Sequence, residues 1–308
     1  MLSGVPQGTV LGPLMFLLYI NDMPSQVHPD TRCRLFADDS LLYRAIDTIA
    51  DQIQLQEDLK KLQQWASDWG MIFNPTKCYV MTINRGRSQK THFYELCDVV
   101  LSSVEHEKYL GVTLCHDLSW TSHVDVISTK ANQKLGFIKR NLKGSPQELK
   151  RLAYIAMVRS SMEYASSIWD PHLKKNQQEL EKVQRRAARW IKHNYDTRET
   201  SVTDLLRQLK LEPLEERRRI NRLTFMYKIL NEHVAVPPER LDLIANPRPP
   251  RGGKTTNRIK VPSPAKTSEY RHSFPLRTIP EWNDLQDTTT SAASVSAFRS
   301  RVVAAKSP

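Results

Sequence analysis

Residues 34–43 of the chain read RLFADDSLLY, and this stretch places two adjacent carboxylates, Asp38 and Asp39, between two short apolar runs. Such a pattern predicts two strands joined by a tight turn that carries both acids. Two carboxylates about 4 Å apart repel each other by roughly 4 kcal/mol at an effective dielectric constant of about 20, so a cation, a proton or a donor usually compensates the pair. Mg²⁺ prefers oxygen ligands and is the natural compensating ion. The alternative is a solvated hairpin turn, since Asp is a favoured turn residue.

A second informative stretch lies near the beginning of the chain, where residues 3–8 read SGVPQG and an apolar segment, residues 10–20, follows. Three of the ten glycines of the chain fall within its first dozen residues. Glycines clustered in this way indicate a backbone that approaches another group closely. The alternative interpretation is a Gly-Pro turn that precedes an apolar helix.

Four motifs in this order resemble the reverse transcriptases of non-LTR retrotransposons, the LINE and jockey-like transposable elements. The motifs are SGVPQG at residues 3–8, FADD at 36–39, NPTKC at 74–78 and YLGV at 109–112. The resemblance implies an RNA-directed DNA polymerase, a nucleotidyltransferase that extends the 3′-hydroxyl of a DNA primer along an RNA template. It also implies Mg²⁺ as the cofactor, with Mn²⁺ as a substitute.

The resemblance assigns roles to particular residues of these motifs. It makes Asp38 a ligand of the catalytic metal ions, with Asp39 beside it, and it places Lys77 near the leaving phosphates as a proton donor. The residues expected to contact nucleotide and template are Ser3, Gly4, Pro6, Gln7 and Gly8. The primer grip is expected at Tyr109, Leu110 and Gly111. The alternatives are a solvated lysine at position 77 and an ordinary β-turn with core residues at 109–112.

The resemblance also predicts that the chain is truncated at its N-terminus. In the family, a second catalytic aspartate comes from a motif upstream of SGVPQG, and the fingers segment that grips the nucleotide lies upstream as well. The chain begins at Met1-Leu2-Ser3, so both are expected to be missing and the isolated chain is expected to be inactive. A catalytically dead nucleic-acid-binding protein and a relic without function are the two other classes that fit.

Composition favours a polyanionic partner. The chain has 45 Lys and Arg residues against 33 Asp and Glu, a formal net charge of +12, which indicates nucleic acid first. Its four cysteines are widely separated and form no C-x-x-C pair, which argues against a zinc site and against a secreted disulfide scaffold.

The apolar segment at residues 10–20 is interpreted as a buried palm helix. It contains Gly12 and Pro13, has no basic residue before it and is far shorter than the roughly 20 residues that a membrane span needs. We therefore expect no membrane contact and a cytoplasmic or nuclear compartment. The sequence does not indicate an oligomeric state.

The fold class predicted from these patterns is α+β in three parts. A partial right-hand polymerase palm of short antiparallel strands and helices is expected at residues 1–118, and an α-helical thumb-like region at 119–233. A Pro-rich linker and a loosely folded C-terminal segment follow at 234–308, because half of the 18 prolines lie between positions 237 and 280.

One helix of the thumb-like region carries a pattern suited to nucleic acid. Apolar residues cluster on one face at Leu180, Val183, Ala187, Trp190 and Ile191. The opposite face carries the residues that we call the basic ridge, Lys182, Arg185, Arg186, Arg189 and Lys192. A ridge of one charge sign can follow the phosphates of a template–primer duplex, while the equally favoured alternative is a solvated charged face.

A further helix is predicted at about residues 214–231, with four arginines in its first half. These are Arg217, Arg218, Arg219 and Arg222. Glu215 and Glu216 stand beside them, so ion pairs within this helix are expected and the cluster is weaker support for nucleic-acid binding.

Overall fold

The structure is a computed structural model, and it describes residues 8–83, 92–196, 200–241, 243–245, 256–262 and 267–305. The chain forms two compact units, Met1–Glu107 and Lys108–Pro308. Short strands lie between residues 32 and 115, and most of the other described segments are helical. This mixture of helices and short strands agrees with the predicted α+β class.

The first unit combines two helices with short strands. Its helices are α1 (Leu11–Ile20) and α2 (Ile49–Asp68), and 3₁₀ turns lie at Met23–Gln26 and Pro75–Lys77. Its strands are β1 (Arg32–Phe36), β2 (Asp39–Tyr43), β3 (Tyr79–Val80), β4 (Glu95–Leu96), β5 (Val99–Val100) and β6 (Ser102–Ser103). As predicted, β1–β2 and β4–β5 are antiparallel, but β3 pairs with β6 in parallel. A parallel pair requires a long connection, and the chain between β3 and β6 is long enough to supply it.

Helix α2 organises the core of the first unit. Thr48 caps it, and its inner face buries Leu62, Trp65 and Ala66 against Ile20 and Met23. Apolar residues recur at three- and four-residue steps between positions 48 and 69, the pattern of one helix face. A smaller cluster, Tyr94, Leu96 and Leu101, forms beside β4.

Helix α1 differs from its prediction. We expected a buried helix, but only Gly12 and Ile20 are buried, and Leu14 and Leu18 are 55% and 72% exposed. The helix is apolar on every side, and the small core of this unit covers only one of its ends. No helix in the described part of the chain is both long and apolar enough to cross a membrane.

The second unit is built mainly from helices. Strands β7 (His106–Tyr109), which crosses the boundary, and β8 (Val112–Cys115) form a hairpin before them. The helices are α3 (Thr121–Asn141), α4 (Gln147–Ala153), α5 (Ser160–Glu163), α6 (Ser166–Trp169), α7 (Lys174–Lys192), α8 (Val202–Gln208) and α9 (Leu214–Leu230). A π-helical stretch, Tyr154–Arg159, joins α4 to α5. The apolar stripe of α3 is buried at Val124, Ala131, Leu135 and Ile138, and it packs with α7 and α8 into one core.

The described residues of the C-terminal segment form helices that pack on α9, in contrast to the loosely folded tail that we expected. Its helices are α10 (Ser268–Arg271), α11 (Phe274–Asn283), α12 (Asp287–Thr290) and α13 (Val295–Ala304), and a 3₁₀ turn lies at Pro238–Leu241. Trp282 and Phe298 are fully buried and stack on each other against Tyr227 of α9. Buried aromatic side chains contribute strongly to the stability of a core. The predicted linker at residues 246–253 lies outside the described residues.

Candidate active-site hairpin and nucleic-acid interface

The acidic stretch forms the predicted hairpin. Strands β1 and β2 pair in register from Arg32 opposite Tyr43 to Phe36 opposite Asp39, so only Ala37 and Asp38 remain for the turn. Ala37 adopts a φ of +52°, the left-handed conformation with which a two-residue hairpin turn begins. Asp38 therefore lies at the tip, and Asp39 is the first paired residue of β2.

Both carboxylates of this hairpin are exposed. Within the described residues, the side chains of Asp38 and Asp39 have no hydrogen-bond or ion-pair partner in the protein. The same residues contain no cluster of three or more acidic, histidine or cysteine side chains suited to a metal ion. The hairpin thus presents two adjacent carboxylates to solvent. Carboxylates of this kind supply part of the coordination shell of Mg²⁺, which water and substrate phosphates complete.

The open end of the hairpin is held by Arg44, which directly follows β2. Its guanidinium donates to Thr31 Oγ1 at 3.2 Å, just before β1, and to Asp51 Oδ1 of α2 at 3.0 Å. It also lies 3.2 Å from His28 Nδ1, and its side chain is only 8% exposed. Arg44 therefore ties both strands of the hairpin to α2 at the end opposite the acids.

Asp51 links this arginine to the beginning of α2. It forms a capping box with Thr48. The Thr48 backbone N–H donates to Asp51 Oδ2 at 3.0 Å, and the Asp51 backbone N–H donates to Thr48 Oγ1 at 3.3 Å. The hydrogen bonds from the Thr48 hydroxyl and backbone, followed by that from Arg44, lower the pKa of Asp51 to about 2. The Thr-x-x-Asp spacing is a recognisable signal for this cap, which our sequence interpretation missed.

Lys77 is the last residue of the 3₁₀ turn that follows α2. Asn74 caps this turn by accepting from Thr76 N at 3.1 Å, and Lys77 itself is exposed. No hydrogen bond or ion pair joins Lys77 to Asp38 or Asp39 in the described part of the chain. Its assignment to the leaving phosphates remains a prediction.

The glycine-rich motif lies mostly outside the described residues. Ser3, Gly4, Pro6 and Gln7 belong to the part that the structure does not describe. Gly8 is described: it is exposed and has a φ of +81° just before α1. The nucleotide and template contacts assigned to residues 3–8 are therefore still predictions.

The YLGV motif forms a two-residue hairpin turn between β7 and β8. Leu110 and Gly111 have φ values of +46° and +84°, as a type I′ turn requires. Tyr164 lies over this turn, because its hydroxyl donates to the Leu110 carbonyl at 3.2 Å. A Cβ atom at position 111 would lie 3.0 Å from Cε1 of the Tyr164 ring. Glycine is required here both by the backbone conformation and by the ring.

Buried groups connect the same hairpin to the helices. Trp169 Nε1 donates to the Tyr164 carbonyl at 2.7 Å, and the Trp169 ring packs edge-on against His123 with centroids 4.9 Å apart. His123 Nδ1 accepts from Thr113 N of β8 at 3.1 Å, which requires a neutral ring. Burial, aided by Lys130, lowers the pKa of His123 to about 4 and keeps it neutral. The predicted primer-grip turn is thus positioned by residues 164–169.

Helix α7 is amphipathic as predicted, but several residues of the basic ridge have partners within the protein. Its apolar face is buried as predicted, at Leu180, Val183, Ala187, Trp190 and Ile191. Lys182 pairs with Glu179 at 2.5 Å, so the ridge does not carry one charge sign throughout. Arg186 donates to Asn132 Oδ1 at 2.9 Å, and Arg189 to the Asp196 carbonyl at 3.2 Å. Arg185 is exposed and has no protein partner among the described residues, and Lys192 is half-buried at the helix end.

The arginines of α9 are structural, contrary to our expectation of pairs within that helix. Arg218 and Arg222 are 1% and 2% exposed, and both contact the buried carboxylate of Asp170, at 2.7 and 2.9 Å. Arg277 of α11 binds the same carboxylate at 3.2 Å, and Arg217 pairs with Glu163. Only Arg219 forms an ion pair of the expected kind, with Glu216 at 3.0 Å. Arg218, Arg222 and Arg277 therefore join α9 and α11 to Asp170 and are not available to nucleic acid.

Comparison with known proteins agrees with the hairpin and its motifs. Residues 2–114 match the family model described as "Reverse transcriptase (RNA-dependent DNA polymerase)". The chain is 32% identical over 257 residues to "Probable RNA-directed DNA polymerase from transposon BS" of Drosophila melanogaster, covering 78% of this chain and 28% of that protein. It is 31% identical over 140 residues to "RNA-directed DNA polymerase from mobile element jockey" of the same species, covering 43% of this chain and 15% of the relative.

A third relative, "Probable RNA-directed DNA polymerase from transposon X-element" of Drosophila melanogaster, is 27% identical over 200 residues, 61% of this chain and 22% of its own length. The chain therefore spans less than a third of the length of each of these three relatives. No solved structure matches it.

Taken with the FADD hairpin and the YLGV turn, these matches define residues 2–114 as a reverse transcriptase segment. This segment belongs to the reverse transcriptase family, and the chain is similar to the polymerases of jockey-like non-LTR retrotransposons, as its motifs predicted.

Proposed function

We propose that the chain carries the catalytic hairpin of an RNA-directed DNA polymerase and that Asp38 is its principal metal ligand. The observation that carries this proposal is the two-residue turn, which puts Asp38 at the tip of a paired hairpin with no competing protein partner among the described residues. An exposed carboxylate on a rigid hairpin keeps its oxygens free for a hard cation. RNA template and DNA primer are the proposed substrates.

The proposed metal is Mg²⁺, held by Asp38 with Asp39 as its neighbour. When bound, such an ion supplies charge stabilisation for phosphoryl transfer to a primer hydroxyl. The contribution of the chain is to hold the two acids in place through β1–β2 and through Arg44. The described residues bring no third acidic side chain to the hairpin, which supports the further proposal that they do not complete the catalytic site alone.

Paramagnetic broadening by Mn²⁺ tests the metal site without requiring catalysis. Backbone amide resonances at residues 37–40 should broaden selectively when Mn²⁺ is added to the full chain, and excess Mg²⁺ should reverse the effect. Asp38→Asn should abolish this broadening. Asp47→Asn removes an exposed carboxylate just beyond β2 and is the matched control that should leave the broadening unchanged. Equal broadening in the Asp38 variant would refute the assignment.

Primer extension tests whether the site is sufficient. With Mg²⁺, an RNA template and a DNA primer, we expect no extension by the full chain, because two carboxylates provide only part of a two-metal site. Extension that disappears in Asp38→Asn but persists in Asp47→Asn would establish an active polymerase and overturn the proposed insufficiency.

A second candidate function is nucleic-acid binding without catalysis through the helical unit. The exposed Arg185 and Arg186 on α7 favour it, since their guanidinium groups face solvent and no acid pairs with either in the described residues. Duplex binding that is unaffected by Asp38→Asn, together with absent extension, is the result that this function predicts.

A further inference from the structure

A fully buried acid, Asp58, lies in the middle of α2. Its side chain is 0% exposed, and aspartate is almost never fully buried unless it is paired. Its Oδ1 atom accepts hydrogen bonds from the His28 backbone N–H at 3.0 Å and from Gln54 Nε2 at 3.2 Å. Lys61 Nζ lies 3.8 Å from the same oxygen. The Oδ2 atom is buried and has no hydrogen-bond partner among the described residues.

Of these contacts, only the one with His28 joins α2 to another part of the chain. Gln54 and Lys61 lie about one turn before and one turn after Asp58 on the same helix, while His28 is 30 positions away in the sequence. Buried ion pairs contribute little net stability, because the cost of desolvation offsets the attraction. An apolar residue at position 58 would leave the N–H of His28 without its partner. The hydrogen bond to this backbone is therefore the specific contribution of Asp58.

Two acids of α2 hold the two ends of the β1–β2 hairpin. Asp51 and Asp58 are seven residues apart, which is about two helical turns, so they lie on the same face of α2. Asp58 binds His28, which precedes β1, and Asp51 binds Arg44, which directly follows β2. One acid thus anchors the chain that enters the hairpin, and the other anchors the chain that leaves it.

The segment between His28 and β1 connects this anchor to the hairpin. The Thr31 N–H donates to the His28 carbonyl at 2.8 Å, and the Asp30 N–H donates to His28 Nδ1 at 3.2 Å. Thr31 directly precedes β1 and is buried, and Arg44 donates to its hydroxyl at 3.2 Å. Residues 28–31 therefore form a tight turn whose beginning is fixed by Asp58 and whose end leads into β1.

We propose that Asp58 is a positioning residue for the metal-binding tip of the hairpin. Its bond to the turn before β1 and the Asp51–Arg44 contact after β2 are two anchors on one helix, and together they fix the orientation of the hairpin. With only one of them, the hairpin can pivot, and its tip is the part that moves most. Supporting hydrogen bonds of this kind determine how well ligands are held at a metal site. The inference rests on the proposed function, because it takes a metal ion as the ligand of the tip.

Two variants separate the hydrogen bond from the acid itself. Asp58→Leu removes the acceptor, and Asp58→Asn keeps one side-chain oxygen. Mn²⁺ is titrated into the full chain, and the concentration that half-broadens the amide resonances of residues 37–40 is measured. This concentration should rise about tenfold in Asp58→Leu, as is typical when a supporting hydrogen bond of a metal site is lost, and it should stay near the wild-type value in Asp58→Asn. Equal concentrations in the wild-type chain and Asp58→Leu, or equal rises in both variants, would overturn the proposal.

Hydrogen exchange at the His28 amide gives a second readout that requires no metal. This amide should exchange slowly in the wild-type chain and in Asp58→Asn, because its N–H keeps an acceptor, and much faster in Asp58→Leu. Rapid exchange in the wild-type chain would by itself contradict the anchor, so the proposal remains testable if Asp58→Leu fails to fold.

Leu96→Ala is the control for a general loss of stability. Leu96 is buried in the cluster beside β4, which is separate from the core that contacts Leu35 and Leu42 of the hairpin. This change should lower the urea midpoint of unfolding and leave the Mn²⁺ concentration unchanged. A rise equal to that in Asp58→Leu would attribute the effect to stability and refute positioning. Absence of broadening in the wild-type chain would overturn the metal proposal as well, whereas broadening that Asp58→Leu leaves unchanged would overturn only the role of Asp58.

Discussion

Gly111→Ala tests how the turn between β7 and β8 is held. The residue has a φ of +84°, a conformation that costs a residue with a Cβ atom about 1–2 kcal/mol. The new methyl group would also lie 3.0 Å from Tyr164 Cε1, so the ring must move away. Displacing the ring breaks its 3.2 Å hydrogen bond to the Leu110 carbonyl, which contributes about 0.5–1.5 kcal/mol. The expected loss is the sum of both effects, roughly 1.5–3.5 kcal/mol.

Urea unfolding of the full chain, combined with hydrogen exchange at the Thr113 amide, measures this loss. Gly144→Ala is the control, because Gly144 has open space around it and no positive φ. It should change stability little, or raise it by about 0.4–1 kcal/mol. In a Tyr164→Ala background, Gly111→Ala should cost only the backbone part, about 1–2 kcal/mol. The reasoning is refuted if the loss at position 111 matches that at 144, or if it is the same with and without the ring of Tyr164.

Three further predictions concern the helical unit. The pKa of His123 is lowered from 6.5 to about 4, so between these pH values the unfolded chain binds more protons than the folded chain. The free energy of unfolding should therefore fall as pH decreases from about 6.5 to 4. In urea titrations at several pH values, His123→Gln should remove this dependence. Asp170→Ala should cost about 3–5 kcal/mol by leaving buried guanidinium groups uncompensated, and a thermal melt within a degree of wild type would contradict the network. Trp282→Ala should cost about 3–5 kcal/mol if α11 belongs to the core, and limited proteolysis should then remove the C-terminal segment first.

Local patterns predicted the parts of the fold whose causes are local. The FADD hairpin was predictable because two apolar strands and a short turn lie within ten residues, and α2, α3 and α7 because their apolar residues recur at helical spacing. The exposure of α1 was not predictable in this way. The sequence pattern of an apolar helix is the same whether or not neighbouring elements cover the helix, and composition does not indicate which neighbours are present.

The polar interactions that position the site were missed for a different reason. Arg44 forms hydrogen bonds with Thr31 and Asp51 only because the fold brings them together, and Arg218 binds Asp170, which is 48 positions away in the sequence. Arginine is almost never fully buried unless it is paired, so sequence reasoning places it at the surface by default. The partner that overturns this default is distant along the chain. The same limit applies to Tyr164, whose contact with Leu110 spans 54 positions.

The structure separates residues available for chemistry from residues that support them. In the described chain, the side chains of Asp38, Asp39 and Arg185 are exposed and have no protein partner, whereas those of Arg44 and Asp170 are buried and engaged in several contacts each. An exposed group without partners contributes little to folding, so its replacement should alter binding while leaving unfolding nearly unchanged. Replacement of a buried, paired group should do the reverse, through loss of its partners. Variants of the exposed residues and variants of the buried residues can be compared in the same binding and unfolding assays. This comparison tests the assignment of the site without requiring catalytic activity.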